Sequence, residues 1–482
     1  MTNPTHDGCD SGTEKKPNGH YDLAVIGAGS AGFSAAITAA EEGAQVALIG
    51  FGTIGGTCVN VGCVPSKAMI RAAEAVHHAN ATSRFDGIKA EAHVENWDAL
   101  TKQKDELVSH LRQAKYIDLL PSYNNIAYME GAACLADGGV TINGKLVKAG
   151  KVIIATGTSP AAPDISGIEN VSYLTSTEAL DLKQLPKSLL VIGGGYIGCE
   201  LAQMFARSGV KVTIVFRSRL LPEAEPEISA ALTGFLQDEG VTVRGGVTYR
   251  EIRETDKGIA LDVTEDGQDV AIEAEQVLVT TGRRPNTDGL GLKEAGAELL
   301  PNGGVKVDDR MRTTKAGVYA AGDVTGRDQF VYMAAYGAKI AAKNALNGDS
   351  LIYDNSAMPW VVFTDPQVAG VGLSEATAKK KGFDVKTSSI TLDHVPRALA
   401  ARDTRGLIKL VANVKTNKLL GAQILAPEGA DSIQTAAFAI RQGLTVTELG
   451  EMIFPYLTTV EGLKLAAQTF DKDIAMLSCC AG

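Results

Sequence analysis

Two cysteines five positions apart, Cys58 and Cys63, occupy the stretch Gly55-Gly56-Thr57-Cys58-Val59-Asn60-Val61-Gly62-Cys63-Val64-Pro65-Ser66-Lys67. Their chemistry would be that of a redox-active dithiol. On a regular helix five residues rise about 7.5 Å along the axis, beyond the Cα separation of about 4.4–6.8 Å usual for a disulfide. The pair can close only if the backbone bends between the cysteines, and Gly62 with the following Pro65 supplies the means. A bridge held under strain is readily reduced. Pro65 suits the first turn of a helix running through Lys67 to Glu74, which leaves Cys63 near a positive helix end and the Lys67 ammonium, where a thiolate is favoured. By itself Cys-x4-Cys favours a structural disulfide, a zinc half-site or two reduced core cysteines over a redox pair. Zinc wants a second pair of ligands at short spacing, and His77 and His78 are adjacent on one helix and point apart.

The element ahead of the dithiol favours redox chemistry. Tyr21-Asp22-Leu23-Ala24-Val25-Ile26 reads as a buried strand, followed by Gly27-Ala28-Gly29-Ser30-Ala31-Gly32, a small-residue helix to about Glu42, and a second strand from Gln45 to Ile49. Gly27, Gly29 and Gly32 permit a tight turn and close approach of a pyrophosphate, which rests on the helix N-terminus. The acid expected at the end of the second strand, to hold a ribose 2′-hydroxyl, is missing: Gly50 stands there. The unit recurs as Leu189-Leu190-Val191-Ile192, Gly193-Gly194-Gly195-Tyr196-Ile197-Gly198, a helix to about Ser208 and a strand from Lys211 to Phe216, so two dinucleotides are expected. Its second strand ends without an acid and runs into Arg217-Ser218-Arg219. Guanidinium groups there pair with a 2′-phosphate, which favours NADPH over NADH.

A chain of 482 residues is long enough for about three domains, each with its own core. The net charge of −10 argues against a nucleic-acid partner, which calls for a basic face. No apolar run reaches the roughly 20 residues of a membrane helix, and Met1-Thr2-Asn3-Pro4-Thr5-His6-Asp7 is no signal peptide, so a cytoplasmic protein is expected. Seven cysteines are too few for a disulfide-stapled scaffold. Residues 1–20 read as a disordered leader in which Cys9 is incidental. Cys134 and Cys199 lie in apolar runs that suit inert buried thiols.

Lys151-Val152-Ile153-Ile154-Ala155-Thr156-Gly157 and Gln276 to Asn286 are each a strand running into a glycine turn, and Gly317-Val318-Tyr319-Ala320-Ala321-Gly322-Asp323 repeats the pattern and ends on an acid. In this order the segments resemble the flavoprotein pyridine-nucleotide disulfide oxidoreductase family over about residues 21–475. The resemblance implies an α/β protein with two Rossmann-like nucleotide-binding domains and an α+β dimerisation domain. FAD would take 21–165 and 286–357, NADPH would take 166–285, and 358–482 would form the dimer interface. It assigns Gly27, Gly29, Gly32, Gly56, Thr57, Lys67, Thr156, Gly157 and Asp323 to FAD, and Gly193, Gly195, Gly198, Arg217, Arg219 and Gly282 to NADPH. It also places Lys67 and Glu200 as an ion pair beside the flavin ring.

The last domain decides the substrate. Disulfide-reducing members carry a His-Pro-Thr stretch followed by Glu, the imidazole serving as acid and base for a leaving thiol. Here the matching stretch is Phe454-Pro455-Tyr456-Leu457-Thr458-Thr459-Val460-Glu461, and a phenol with pKa near about 10 is a poor proton shuttle at neutral pH. The chain closes on Ser478-Cys479-Cys480-Ala481-Gly482, a vicinal dithiol near a terminus, suited to capturing a soft, thiophilic ion and handing it on. Together with Tyr196 and Tyr456 these features resemble the branch of the family that reduces thiol-bound Hg(II). That resemblance implies a homodimer whose Cys479 and Cys480 pass Hg(II) to the partner's Cys58 and Cys63, with Tyr196 gating the nicotinamide pocket and Glu461 retained near the site. A thioredoxin-reductase-like disulfide reductase and a flavoprotein that only sequesters metal are the competing readings.

Overall fold

The computed structural model describes residues 19–474; Cys9, Cys479 and Cys480 lie outside that range. The chain divides into two compact units, one made of 19–56, 112–158 and 284–353, the other of 57–111, 159–283 and 354–474.

In the first unit the unbroken apolar run Leu23 to Ile26 does what a strand covered on both faces of a parallel sheet must do: Leu23, Ala24 and Val25 are fully buried. The strand His20–Ile26 pairs in parallel with Val46–Gly50 on one side and with Lys145–Ile154 on the other. Ile126–Glu130 extends the sheet beyond Val46–Gly50, and Val318–Ala320 lies parallel to Lys145–Ile154. The carboxyl ends of these parallel strands therefore meet at one edge, where ligands bind in such folds. Antiparallel strands Ala133–Ala136 and Gly139–Ile142 complete a seven-stranded sheet. The helix Ser30–Glu41 lies against Val331–Asn347, close enough that Ser34 Oγ donates to the Ala335 carbonyl at 2.9 Å. Alanine and glycine on the buried face permit that approach.

The second unit carries the other dinucleotide-type sheet, Thr242–Gly245, Lys211–Phe216, Ser188–Ile192 and Gln276–Val279, all parallel. A three-stranded antiparallel sheet, Thr248–Thr255, Gly258–Glu265 and Gln268–Ala274, accompanies it. Its third layer is a five-stranded antiparallel sheet in the order Pro359–Val362, Gln367–Gly372, Leu419–Ala426, Leu407–Asn413 and Val385–Thr391. Helices Gly429–Gln442 and Glu461–Gln468 pack on that sheet through Ile433, Ala436, Leu463 and Ala466.

Segment 57–111 does not cluster with the rest of 21–165 but with the second unit. The cause is burial: Met69, Ile70, Ala73 and Trp97 enter one core with Leu180, Leu201 and Phe205, each large apolar group contributing about 1.5–3 kcal/mol there. The Trp97 indole N–H also donates to the Leu182 carbonyl at 2.8 Å. Among the described residues no helix is long and apolar enough to cross a membrane.

Two glycines test the nucleotide turns directly. A Cβ on Gly32 would run into the Gly27 carbonyl oxygen, and one on Gly198 into that of Gly193. Gly32→Ala and Gly198→Ala are each expected to lower stability by about 1–3 kcal/mol. If the first turn holds FAD and the second NADPH, as the resemblance implies, Gly32→Ala should lower the flavin content of purified protein, whereas Gly198→Ala should leave it intact and weaken nicotinamide binding; denaturant melts, flavin absorbance and nucleotide titration check all three.

Candidate active site

The bend required between the cysteines is present. Cys58 lies in the short helix Gly56–Asn60, the chain breaks at Gly62, and Cys63 opens the helix Cys63–Asn80 with Pro65 in its first turn. Gly62 is needed for closeness: a Cβ there would stand 3.0 Å from the Thr57 carbonyl oxygen and 3.4 Å from the Cys58 α-carbon. Both thiols are free, Cys58 half-buried and Cys63 exposed, and their side chains are hydrogen-bonded to each other.

The two sulfurs are electrostatically unequal. The hydrogen bond from Cys58 brings the Cys63 pKa down to about 7, with the Lys67 charge helping and crowding by neighbours and Glu200 opposing. The same hydrogen bond, joined by burial, pushes the Cys58 thiol far up. Cys63 is therefore the thiolate and Cys58 the proton donor to it. Lys67 sits one turn beyond Cys63 on the same helix, where its Nζ meets Glu200 Oε2 at 2.6 Å and lies 4.9 Å from the centre of the Phe363 ring.

Glu200 is buried near the start of the helix Tyr196–Arg207, and its second oxygen accepts the Phe363 backbone N–H at 2.9 Å. Tyr196 opens that helix, its ring stacked on Trp360 with centroids 5.7 Å apart, and burial pushes its phenol pKa up, followed in effect by the charge of Glu223. Phe363 and Trp360 carry no motif, and only the fold puts them here.

Polar contacts anchor the far end of the cysteine helix, where Asp365 raises the His78 pKa and burial lowers that of His77. His78 Nε2 is 3.2 Å from Asp365, and His77 Nε2 is 3.9 Å from Glu239. Arg207 bridges Glu239 and Asp365, and Arg405 joins both acids from another strand connection. The two histidines thus have structural partners, and no group of three or more His, Cys, Asp or Glu able to hold a metal exists among the described residues. Cys199 is fully buried, with burial pushing its thiol up; Cys134 is half-buried rather than core.

The two glycine turns leave room for a pyrophosphate at their helix N-termini. The helix Ser30–Glu41 starts at Gly29 and the helix Tyr196–Arg207 at Gly195, both without a side-chain cap, so their first N–H groups face outward for a phosphate. Gly56 lies so close to Gly29 that a Cβ on it would stand 2.6 Å from the Gly29 α-carbon, and Gly195 opens onto free space. Asp323 follows Gly322 (φ 78°) at the carboxyl end of Val318–Ala320, within 3.2 Å of the Thr158 hydroxyl. Thr156 and Asn286 exchange hydrogen bonds of 2.7 and 2.9 Å, which fixes Gly157 beside them. Gly282 (φ 142°) ends the Gln276–Val279 strand with open space over it.

The arginines after Phe216 divide their roles. Arg219 donates to the carbonyls of Pro222 and Ala224, both at 2.8 Å, and so braces its own turn. Arg217 is exposed, its guanidinium 5.6 Å from the centre of the Tyr249 ring. On the C-terminal layer Glu461 opens the helix Glu461–Gln468, is buried and accepts the Leu457 N–H at 3.2 Å, while Tyr456 is exposed on the loop before it. The structure thus unites Cys58, Cys63, Lys67, Glu200 and Tyr196, and holds Tyr456 and Glu461 on a separate loop and helix start.

A dithiol beside a lysine–glutamate pair, with two glycine-turn nucleotide sites, defines a dithiol oxidoreductase fed by a flavin and a nicotinamide. The chain belongs to the pyridine nucleotide-disulphide oxidoreductase family: that family's model matches residues 21–341 and its dimerisation domain matches 358–467. Among curated relatives, the chain is 47% identical over 466 residues to the mercuric reductase of Staphylococcus aureus, covering 96% of this chain and 85% of that one. It is 48% identical over 468 residues to that of Streptomyces lividans, covering 96% and 98%. Among solved structures it resembles the HOCl-induced flavoprotein disulfide reductase RclA from Escherichia coli in complex with Cu(II). That match has a TM-score of 0.81 at 30% identity, over 93% of this chain and 99% of the other.

Alkylation of the reduced protein by iodoacetamide should titrate at Cys63 with a midpoint near pH 7, slow below it where the thiol is protonated and fast above it. Lys67→Met should move that midpoint upward by about one unit; an unmoved midpoint would show that Lys67 does not act on the sulfur. Arg217→Ala should raise the KM for NADPH by about tenfold or more with little effect on NADH, whereas Arg219→Ala should lower the melting temperature with a smaller change in cofactor preference.

Proposed function

We infer that this chain is an FAD-containing oxidoreductase that uses NADPH to reduce Hg(II) to Hg(0), as a homodimer, in mercury detoxification. Tyr456 carries the choice of a metal over a disulfide. Cleaving a disulfide releases a thiolate that needs a proton, and this chain has a phenol where disulfide-reducing relatives have an imidazole. Reducing Hg(II) to Hg(0) takes two electrons and no proton, so nothing is lost by that replacement. Identity of 47–48% to mercuric reductases over almost the whole chain supports the same reading.

Gly27, Gly29, Gly32, Gly56, Thr57, Thr156, Gly157 and Asp323 would hold FAD, and Gly193, Gly195, Gly198, Gly282 and Arg217 would hold NADPH. FAD held there would supply the two electrons, drawn from NADPH. Cys63 is the attacking thiolate: it displaces one thiolate ligand from Hg(II), and Cys58 follows after passing its proton to that departing thiolate. Each exchange makes one Hg–S bond and breaks one, so soft sulfur replaces soft sulfur at little cost. The Cys58 hydrogen bond and the Lys67 charge keep Cys63 ionised, and Glu200 holds Lys67. When Hg(II) gains two electrons both Hg–S bonds break, and the uncharged atom leaves two cysteine sulfurs behind.

The closing Cys479 and Cys480 would collect Hg(II) from cellular thiols and deliver it to Cys58 and Cys63 of the other subunit, with Tyr196 and Tyr456 lining the path. A reducing cytoplasm, which keeps all four thiols reduced, suits the cycle. Under anaerobic conditions with NADPH and excess low-molecular-weight thiol, the protein should consume NADPH only on addition of Hg(II) and release volatile mercury in equal amount. Turnover with a disulfide alone would favour a thioredoxin-reductase-like role, and stoichiometric binding without turnover would favour sequestration. Replacing Cys479 and Cys480 by Ala should slow turnover at least tenfold in excess thiol while leaving flavin reduction by NADPH unchanged.

A further inference from the structure

The carboxylate missing from the end of the second strand has a physical successor. Gly50 is buried at the carboxyl end of Val46–Gly50, the edge on which the Gly27 to Gly32 turn also lies. Tyr128 belongs to the neighbouring parallel strand Ile126–Glu130, paired with Leu48, two residues before Gly50. Side chains two apart along a strand share a face, so Tyr128 and Gly50 face the same way. The Tyr128 ring leans forward over Gly50. A Cβ there would stand 2.9 Å from Cζ and Cε2 and still closer to the hydroxyl oxygen. No acidic side chain could occupy position 50 while Tyr128 keeps this place, and the phenol fills the space through which one would project.

We propose that the Tyr128 hydroxyl binds the adenosine ribose of FAD through its 2′-hydroxyl, in the role that the acid takes in other nucleotide-binding units of this type. The proposal rests on the FAD-binding reading of this unit and adds a residue to it. The hydroxyl has no hydrogen-bond partner among the described residues, and burial, with the charge of Glu130, raises its pKa and keeps it protonated as a donor. A neutral phenol carries no charge, so this site gives up the charge-assisted part of the usual bond. Glu130 is the rival: it pairs with Gly50 in register and is exposed on the same face.

The test uses full-length protein stripped of flavin and titrated, by flavin fluorescence, with FAD and with an FAD analogue whose adenosine lacks the 2′-hydroxyl. Wild-type protein should bind FAD about tenfold more tightly than the analogue. Tyr128→Phe should weaken FAD binding about tenfold and leave analogue binding unchanged. Glu130→Gln should shift neither by more than about twofold. Equal loss with both dinucleotides would reduce Tyr128 to a packing role and overturn the proposal, as would no loss at all or a loss selective for FAD in Glu130→Gln. A Tyr128→Ala/Gly50→Glu variant, folded by circular dichroism, should recover FAD affinity over Tyr128→Ala alone; no recovery would place the ribose elsewhere. Failure of wild-type protein to bind either dinucleotide would instead sink the FAD reading itself.

Discussion

The contact on which the chemistry of this protein depends is the ion pair between Lys67 and Glu200, 2.6 Å long, with the carboxylate buried and the ammonium about one-third exposed. It joins the helix that begins at Cys63 to the helix that begins at Tyr196. Pairs of this kind contribute little net stability, because desolvation offsets attraction. Their value lies in position: Glu200 also accepts the Phe363 N–H, so Lys67 has one place to go, and that place is within electrostatic reach of the Cys63 sulfur. At the far end of the same helix, His77 and His78 meet the acids Glu239 and Asp365. The helix is tied at both ends, and the thiolate at its start inherits that rigidity.

A second constraint is the absence of side chains. At both nucleotide turns a glycine Cβ would collide with backbone: Gly32 with Gly27, Gly198 with Gly193, Gly193 with Thr280. Strand, turn and helix pack at a distance that only glycine allows, and that packing points the helix N-termini at the sheet edge. The same reasoning explains Gly50. Its neighbour Tyr128 fills the space, so the loss of an acid from one strand and the presence of a phenol on the next are a single packing decision.

Sulfur chemistry then follows from inequality. Two identical thiols in water would titrate alike, but hydrogen bonding and one cation separate these two, leaving a nucleophile and a proton donor side by side. A thiolate paired with a single thiol proton donor suits an acceptor that takes electrons without protons. A soft cation held by two sulfurs is such an acceptor.

Much of this was legible in the chain itself. The glycine spacing after an apolar run, given twice, determined the parallel strands of two sheets and their ligand edges, because backbone approach to a pyrophosphate leaves few alternatives. Cys58, Gly62, Cys63 and Lys67 carried their own geometry, since residues within ten positions are placed by local bending alone. The tertiary structure decided what depends on distant segments meeting. It moved segment 57–111 into the core of the second unit through Met69, Ile70 and Trp97, set Phe363 against Glu200 and Trp360 against Tyr196, and turned Arg219 onto its own carbonyls while Arg217 faces outward. It also gave Gly50 its reason in Tyr128, 78 positions away. Spacing along a chain records local turns, but which side chain fills the volume left by another is settled only when sheets close and strands take their register.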